Sequence, residues 1–165
     1  MLVTIALLGD THMPRGSRRL PDECVRLLGS VELIVHTGDF SALTVLDELE
    51  SIGPPVVAVH GNVDDDAIRR RLPESVELAP AAGLTIGLIH DAGPRRGRLE
   101  RMRSRFPSCD AVVFGHSHLP LHERAVDGFQ IFNPGSPTER RRAPRRSMGL
   151  ATVVCGEFHF EHVWL

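Results

Sequence analysis

The sequence predicts an α/β fold built on a parallel sheet, and two observations carry that reading. First, short continuous apolar runs at Leu2–Leu8, Val31–Val35 and Val56–Val59 lack polar alternation, the pattern of strands covered on both faces. Second, segments of helical character separate the runs, giving a β-α-β-α-β rhythm. In such a sheet, functional groups belong in the crevice beyond the carboxyl ends of the strands. The three runs end at Gly9-Asp10, Gly38-Asp39 and Gly61-Asn62.

Each element follows from local chemistry. The first strand stops at Gly9-Asp10-Thr11-His12, and Pro14 and Gly16 make Met13 to Arg19 a loop. Pro21-Asp22-Glu23 opens a helix to about Leu28, since proline is tolerated in a first turn and acids there suit the helix dipole. Gly29 closes it. Ser41 can cap a helix to about Ser51, with Leu43, Leu46 and Leu49 on one face and Gly53-Pro54 as the stop.

The second half is less regular. Ser75–Leu78 and Leu84–Ile89 read as strands, the latter ending at His90-Asp91. Gly97 to Phe106 reads as a basic amphipathic helix with Leu99, Met102 and Phe106 inward. Ala111–Phe114 is a strand ending at Gly115-His116-Ser117-His118. Asp127-Gly128 signals a hairpin between Leu121–Val126 and Phe129–Phe132. Asn133 to Pro137 is a turn-rich loop, and Glu139 to Arg146 a basic one. Met148–Cys155 and Glu157–Val163 form a closing hairpin about Gly156.

With 165 residues, 42% hydrophobic and 24% charged, the chain fits a single domain over 1–165. A net charge of −2 excludes a whole-molecule attraction to nucleic acid or membrane, so a polymer substrate is not expected. All 19 basic residues are arginine, a bias given no functional weight. Cys24, Cys109 and Cys155 are odd in number, widely spaced and without a C-x-x-C. They read as small buried hydrophobes of a cytoplasmic protein. The apolar start is far shorter than the roughly 20 residues of a membrane span.

Metal-competent side chains come from five segments: Asp10 and His12, Asp39, Asn62, His90, and His116 and His118. Each segment follows a strand-like run. Carboxylate, amide and imidazole donors without thiolate suit Mn²⁺, Ni²⁺, Fe, Zn²⁺ or Co²⁺. They argue against Ca²⁺ and against a closed structural zinc site. In Asp-x-His, alternate residues of an extended backbone share a side, so Asp10 and His12 can grip one ion. Asp39, after a glycine past a buried strand, is placed to bridge two.

Gly9-Asp10-Thr11-His12, Gly38-Asp39, Gly61-Asn62-Val63-Asp64, His90 and Gly115-His116-Ser117-His118, in that order, resemble the calcineurin-like metallophosphoesterase superfamily. The short length and the Asn133-Pro-Gly-Ser136 loop resemble its small YfcE-like phosphodiesterases. The resemblance implies a four-layer α/β/β/α sandwich with the metal site at the carboxyl ends of the strands. It implies that Asp10, His12, Asp39 and His118 hold one ion, and that Asp39, Asn62, His90 and His116 hold the other. Asp39, Asn62 and His90 are then the residues on which catalysis rests. The expected cofactor is a pair of divalent ions, Mn²⁺ first. The expected reaction is hydrolysis of a small phosphodiester, nucleotide-derived diesters included, by a hydroxide shared between the ions.

Two departures matter. Many superfamily members carry histidine after the asparagine, where this chain has Val63, which leaves the proton donor unassigned. Asp91 follows His90 where relatives commonly have glycine. The alternative to catalysis is a binding scaffold on the same fold, for which a retromer subunit of the family is the precedent. Several residues have two readings. His36 and His60 are expected to be structural. Asp64 either orients a ligand or caps the following segment. Asn133 and Ser136 either support the metal rim or shape a turn. The arginines of 95–105 and 140–146 are either solvated or attract an anionic substrate. A homo-oligomer is compatible with all of this.

Overall fold

The computed structural model describes residues 3–81 and 83–165; Leu2, where the first predicted strand begins, lies outside them. The elements are β1 (Thr4–Leu8), α1 (Asp22–Leu28), β2 (Leu33–His36), α2 (Leu43–Ser51), β3 (Val56–Ala58), α3 (Asp66–Arg71), β4 (Ser75–Ala81), β5 (Leu84–Ile89), α4 (Arg98–Arg105), β6 (Ala111–Val113), β7 (Leu121–Arg124), β8 (Gln130–Asn133), β9 (Ser147–Val154) and β10 (Glu157–Trp164). They build two five-stranded sheets, ordered β10-β9-β1-β2-β3 and β4-β5-β6-β8-β7. β1, β2 and β3 run parallel, as do β5, β6 and β8. Hairpin partners β9–β10, β7 and β4 lie antiparallel at the flanks.

Strand alternation explains the layering. Ile5, Leu7 and Val35 of the first sheet face Ile86, Leu88, Val113 and Phe132 of the second in one buried cluster. The other faces of the same strands, with Ala6, Leu8 and Ile34, pack on Cys24 and Leu28 of α1, Leu46 and Leu49 of α2 and Ile68 of α3. Beyond the second sheet, Met102 and Phe106 cover Val112 and Ile131. The result is the expected α/β/β/α order of four layers. Fully burying each such Leu, Ile or Phe is worth about 1.5–3 kcal/mol, so apolar strand faces on both sides fix the stacking.

Three local expectations are corrected. Ser41 does not cap α2: the N-cap is Ala42 without a side-chain bond, and Ser41 sits at φ 81° with its N–H donated to Asp64. α3, unforeseen, is a single short helix capped by Asp65, whose carboxylate accepts from Ile68 N–H. Cys155 is exposed in the β9–β10 turn, whereas Cys24 and Cys109 are buried. Among the described residues, no helix is long and apolar enough to cross a membrane.

Candidate metal centre

The parallel strands of both sheets deliver the site. Past their ends, β1 and β2 stay zipped: Asp10 N–H donates to Gly38 O, and His12 N–H to Asp39 O, at 2.9 and 3.0 Å. The pairing places Asp10, His12 and Asp39 side by side. It needs unusual backbone, with φ of 55°, 45° and 61° at these residues. His116 and His118 also lie in the left-handed region, at 67° and 59°. Each such non-glycine residue costs of order 1–3 kcal/mol and clusters at functional sites. Gly38 (φ 98°) and Gly61 let the β2 and β3 loops touch. A side chain on Gly61 would strike the Asp39 carboxylate, and one on Gly38 the Gly61 backbone.

All seven predicted side chains converge, in two adjacent groups. Asp10, His12 and His118 form one, and Asp39, His90 and His116 the other, with Asn62 inside the second. His118 Nε2 lies 3.5 Å from Asp10 Oδ1 and 3.2 Å from His12 Nε2. Asn62 Oδ1 lies 3.0 Å from both His90 Nε2 and His116 Nδ1. The groups meet at one atom: Asp39 Oδ2 is 3.6 Å from His12 Nε2 and 3.3 Å from His90 Nε2. Its partner oxygen, Oδ1, accepts Val63 N–H at 3.0 Å.

These donors fit a cation. The carbonyl of Thr37 accepts from His90 Nδ1 at 2.8 Å, and that of Glu139 from His118 Nδ1 at 3.1 Å. A carbonyl can only accept, so both rings carry hydrogen on Nδ1 and turn Nε2 inward. There His90 Nε2 faces the Asn62 and Asp39 oxygens, also acceptors. Asp10 Oδ2 is buried with no hydrogen-bond partner. Lone pairs converging on lone pairs are reconciled by a positive ion.

Proton affinities follow the same field. Burial pushes the Asp10 carboxyl up to about 7. Burial acts the same way on Asp39, but the His90 hydrogen bond and charge outweigh it and hold this carboxyl at about 2. Burial lowers His90, yet its bond to Asp39 and the charges of Asp10 and Asp39 win and raise it. A proton on Nε2 then sits where a metal would. Burial lowers His12, and brings His118 down to about 4, which keeps both imidazoles neutral as ligands must be.

Supporting residues emerge that the sequence did not single out. Arg69 donates to the carbonyls of Gly61, Asn62 and Asp64, all at 2.9 Å, and so holds the Asn62 loop. Thr138 Oγ1 donates to Thr11 O at 2.7 Å. Both rim candidates do more than shape a turn. Ser136 Oγ donates to Asp10 O at 2.8 Å, and Asn133 Nδ2 to Gly115 O at 2.9 Å. Asp64 does not cap α3; it accepts the N–H groups of Asp39, Ser41 and Gly61. His36 is structural: Nδ1 accepts Gly38 N–H, and the ring stacks on Phe40. His60 lines a cavity of about 410 Å³ beside Asn62 and His90.

Comparison with known proteins agrees with this geometry. The calcineurin-like phosphoesterase superfamily domain matches residues 3–156. A probable metallophosphoesterase of Methanothermobacter thermautotrophicus is 33% identical over 143 residues, covering 83% of this chain and 78% of that protein. A phosphodiesterase of Methanocaldococcus jannaschii is 29% identical over 150 residues, covering 79% and 82%. In fold, the chain is similar to vacuolar protein sorting 29 of Cryptosporidium parvum, with a TM-score of 0.79 at 22% identity over 99% and 98% of the two chains.

Proposed function

The chain belongs to the calcineurin-like phosphoesterase superfamily, and from that membership we propose that it is a dinuclear-metal-dependent phosphodiesterase acting on small phosphodiesters. The observation that carries the proposal is Asp39 Oδ2, one carboxylate oxygen lying between two clusters of inward-facing ligand atoms. Asp10, His12, Asp39 and His118 would hold one ion, and Asp39, Asn62, His90 and His116 the other. Mn²⁺ is favoured, with Ni²⁺, Fe, Zn²⁺ and Co²⁺ as alternatives, because the donors mix oxygen and nitrogen without thiolate. Bound there, the ions would supply Lewis acidity toward the phosphoryl oxygens and acidify a water.

The chain's own part is positioning. Asp39, held ionised by its neighbours, offers its carboxylate at neutral pH. The Nδ1–H bonds of His90 and His118 keep both rings aimed inward. Val63, with 49% of its surface exposed, stands at the rim and has no proton to give a leaving group. Diesters with weakly basic leaving groups are therefore the best substrates. We place the protein in the cytoplasm, a reading supported by three free cysteines.

The test is hydrolysis of bis(p-nitrophenyl) phosphate with added Mn²⁺ or Ni²⁺ against an EDTA control. Metal-dependent turnover supports the proposal, and folded, metal-loaded but inert protein removes it. Val63 and the vacuolar-sorting fold likeness favour a second reading, a scaffold that keeps the fold without catalysis. That reading expects protein purified without chelator to be metal-free and silent toward every diester.

A further inference from the structure

Among the described residues, three buried side-chain polar atoms lack a hydrogen-bond partner: Asp10 Oδ2, Arg18 Nη1 and Glu139 Oε2. Asp10 is accounted for by the metal centre, and the other two are neighbours at its edge. Arg18 Nη2 lies 3.1 Å from Glu139 Oε1. Glu139 Oε2 is 3.8 Å from both Arg141 Nε and His118 Nδ1. Arg18 lies on the loop that follows His12, and the loop bearing Glu139 and Arg141 is tied to the Asp10–His12 segment through Ser136 and Thr138. Arg141 is held at φ 45°, a conformation a non-glycine residue adopts only when its surroundings impose it.

Several other arginines are committed elsewhere. Arg69, Arg98 and Arg101 donate to loop carbonyls, and Arg71, Arg103 and Arg124 pair with carboxylates. Arg18 and Arg141 instead share one acid, Glu139, leaving a net positive charge beside the first ligand group.

We propose that Arg18 and Arg141, braced by Glu139, form an anion-binding rim beside Asp10, His12 and His118, and that the preferred substrates are phosphodiesters carrying a further phosphate group. A guanidinium presents a planar fork that matches phosphate oxygens two at a time, and the Arg141 side chain, 49% exposed, is open to a ligand. The substrate class rests on the reading that the adjacent centre hydrolyses diesters; the rim does not.

The experiment compares the dinucleotide ApA with its 5′-phosphorylated form pApA. Binding of each to EDTA-treated protein is measured by calorimetry, and kcat/KM of each with Mn²⁺. The expected result is a preference for pApA of at least about tenfold in both readouts, the worth of one charge-assisted contact. Arg141→Gln and, independently, Arg18→Gln bring both ratios toward one, while Arg145→Gln on the same loop retains them. Tighter pApA binding lost in Arg141→Gln, with neither dinucleotide nor bis(p-nitrophenyl) phosphate cleaved, upholds the rim and removes the hydrolytic reading. Metal-dependent cleavage of bis(p-nitrophenyl) phosphate with equal treatment of ApA and pApA overturns the rim and leaves the hydrolytic reading standing. Ratios unchanged in both variants likewise overturn it.

Discussion

Asp64 Oδ2 accepts the backbone N–H of Asp39 at 2.9 Å, so one buried carboxylate sets the position of another. The same oxygen takes Gly61 N–H at 2.7 Å, while Oδ1 takes Ser41 N–H at 2.9 Å. The loops after β2 and β3 are thus clamped together. Asp64→Ala leaves these donors unanswered. Hydrogen bonds to a charged group are worth about 1.5–3 kcal/mol each but are not additive, so a loss of about 3 kcal/mol is expected in urea unfolding of the metal-free protein. Asp64→Asn, which keeps one oxygen acceptor, loses less. Equal stability of Asp64→Ala and the parent contradicts the clamp.

Asp39→Asn keeps the shape of the side chain and removes its charge. With its Oδ2 at the junction of the two groups, both ions lose an anionic ligand. Turnover of bis(p-nitrophenyl) phosphate is predicted to fall by more than about 100-fold, beyond the 10–100-fold typical of residues that merely support a ligand. Elemental analysis is expected to find fewer than two ions per chain in the variant. Parent-like rates and metal content would exclude a bridging carboxylate.

Ser136→Ala tests the support beneath Asp10. Its hydroxyl donates to Asp10 O and accepts Glu139 N–H at 2.9 Å, which joins the first ligand group to the arginine-bearing loop. Metal affinity, read by competition with a chelating dye, is predicted to weaken by about tenfold, with the fold retained. An unchanged affinity would mean that Ser136 only shapes its turn.

How much of this was legible in the sequence follows from where the information lies. Gly9-Asp10, Gly38-Asp39 and Gly115-His116 are local patterns: an apolar run, a glycine, a ligand. They are readable because each strand end acts alone. Ser136 and Thr138 act on backbone groups more than 120 residues away and Asn133 on one 18 residues away, so the sequence left the roles of Asn133 and Ser136 open and passed over Thr138. Arg69 bonds carbonyls five to eight residues back, yet an arginine in a polar stretch gives no sign of which backbone groups it holds. Ser41 misled because a serine before a helical run resembles a cap, whereas a tertiary bond from Asp64 takes its N–H. α3 was missed because Ile68 is its one buried apolar residue; Asp65, bonded to Ile68 N–H, was the available signal. The arginine runs separated only once partners were known: Arg98 and Arg101 of the first hold loop carbonyls, whereas Arg141 of the second stands at Glu139.

The pH dependence of stability should carry the signature of His36. Burial lowers this histidine from 6.5 to about 3. Between those values the unfolded chain binds a proton that the folded chain refuses. The His36 contribution to stability is therefore full above pH 6.5 and is lost toward pH 3, at up to about 1.4 kcal/mol per pH unit. In metal-free protein Asp10 opposes it: its carboxyl, raised to about 7, contributes stability present below its unfolded value near 3.8 and lost as pH rises through 7. His36→Asn supplies an oxygen acceptor for Gly38 N–H without the titration. Its Tm is predicted to decline less steeply than the parent's from pH 6.5 to 4, and parallel profiles would contradict this assignment.

The central claim is that strand ends from two sheets converge on paired cations sharing the Asp39 carboxylate. Anomalous scattering from Mn²⁺-soaked crystals tests it most directly. The predicted result is two peaks, one among Asp10, His12 and His118, the other among Asn62, His90 and His116, with Asp39 Oδ2 between them. No peak, or a single peak away from Asp39, would contradict it.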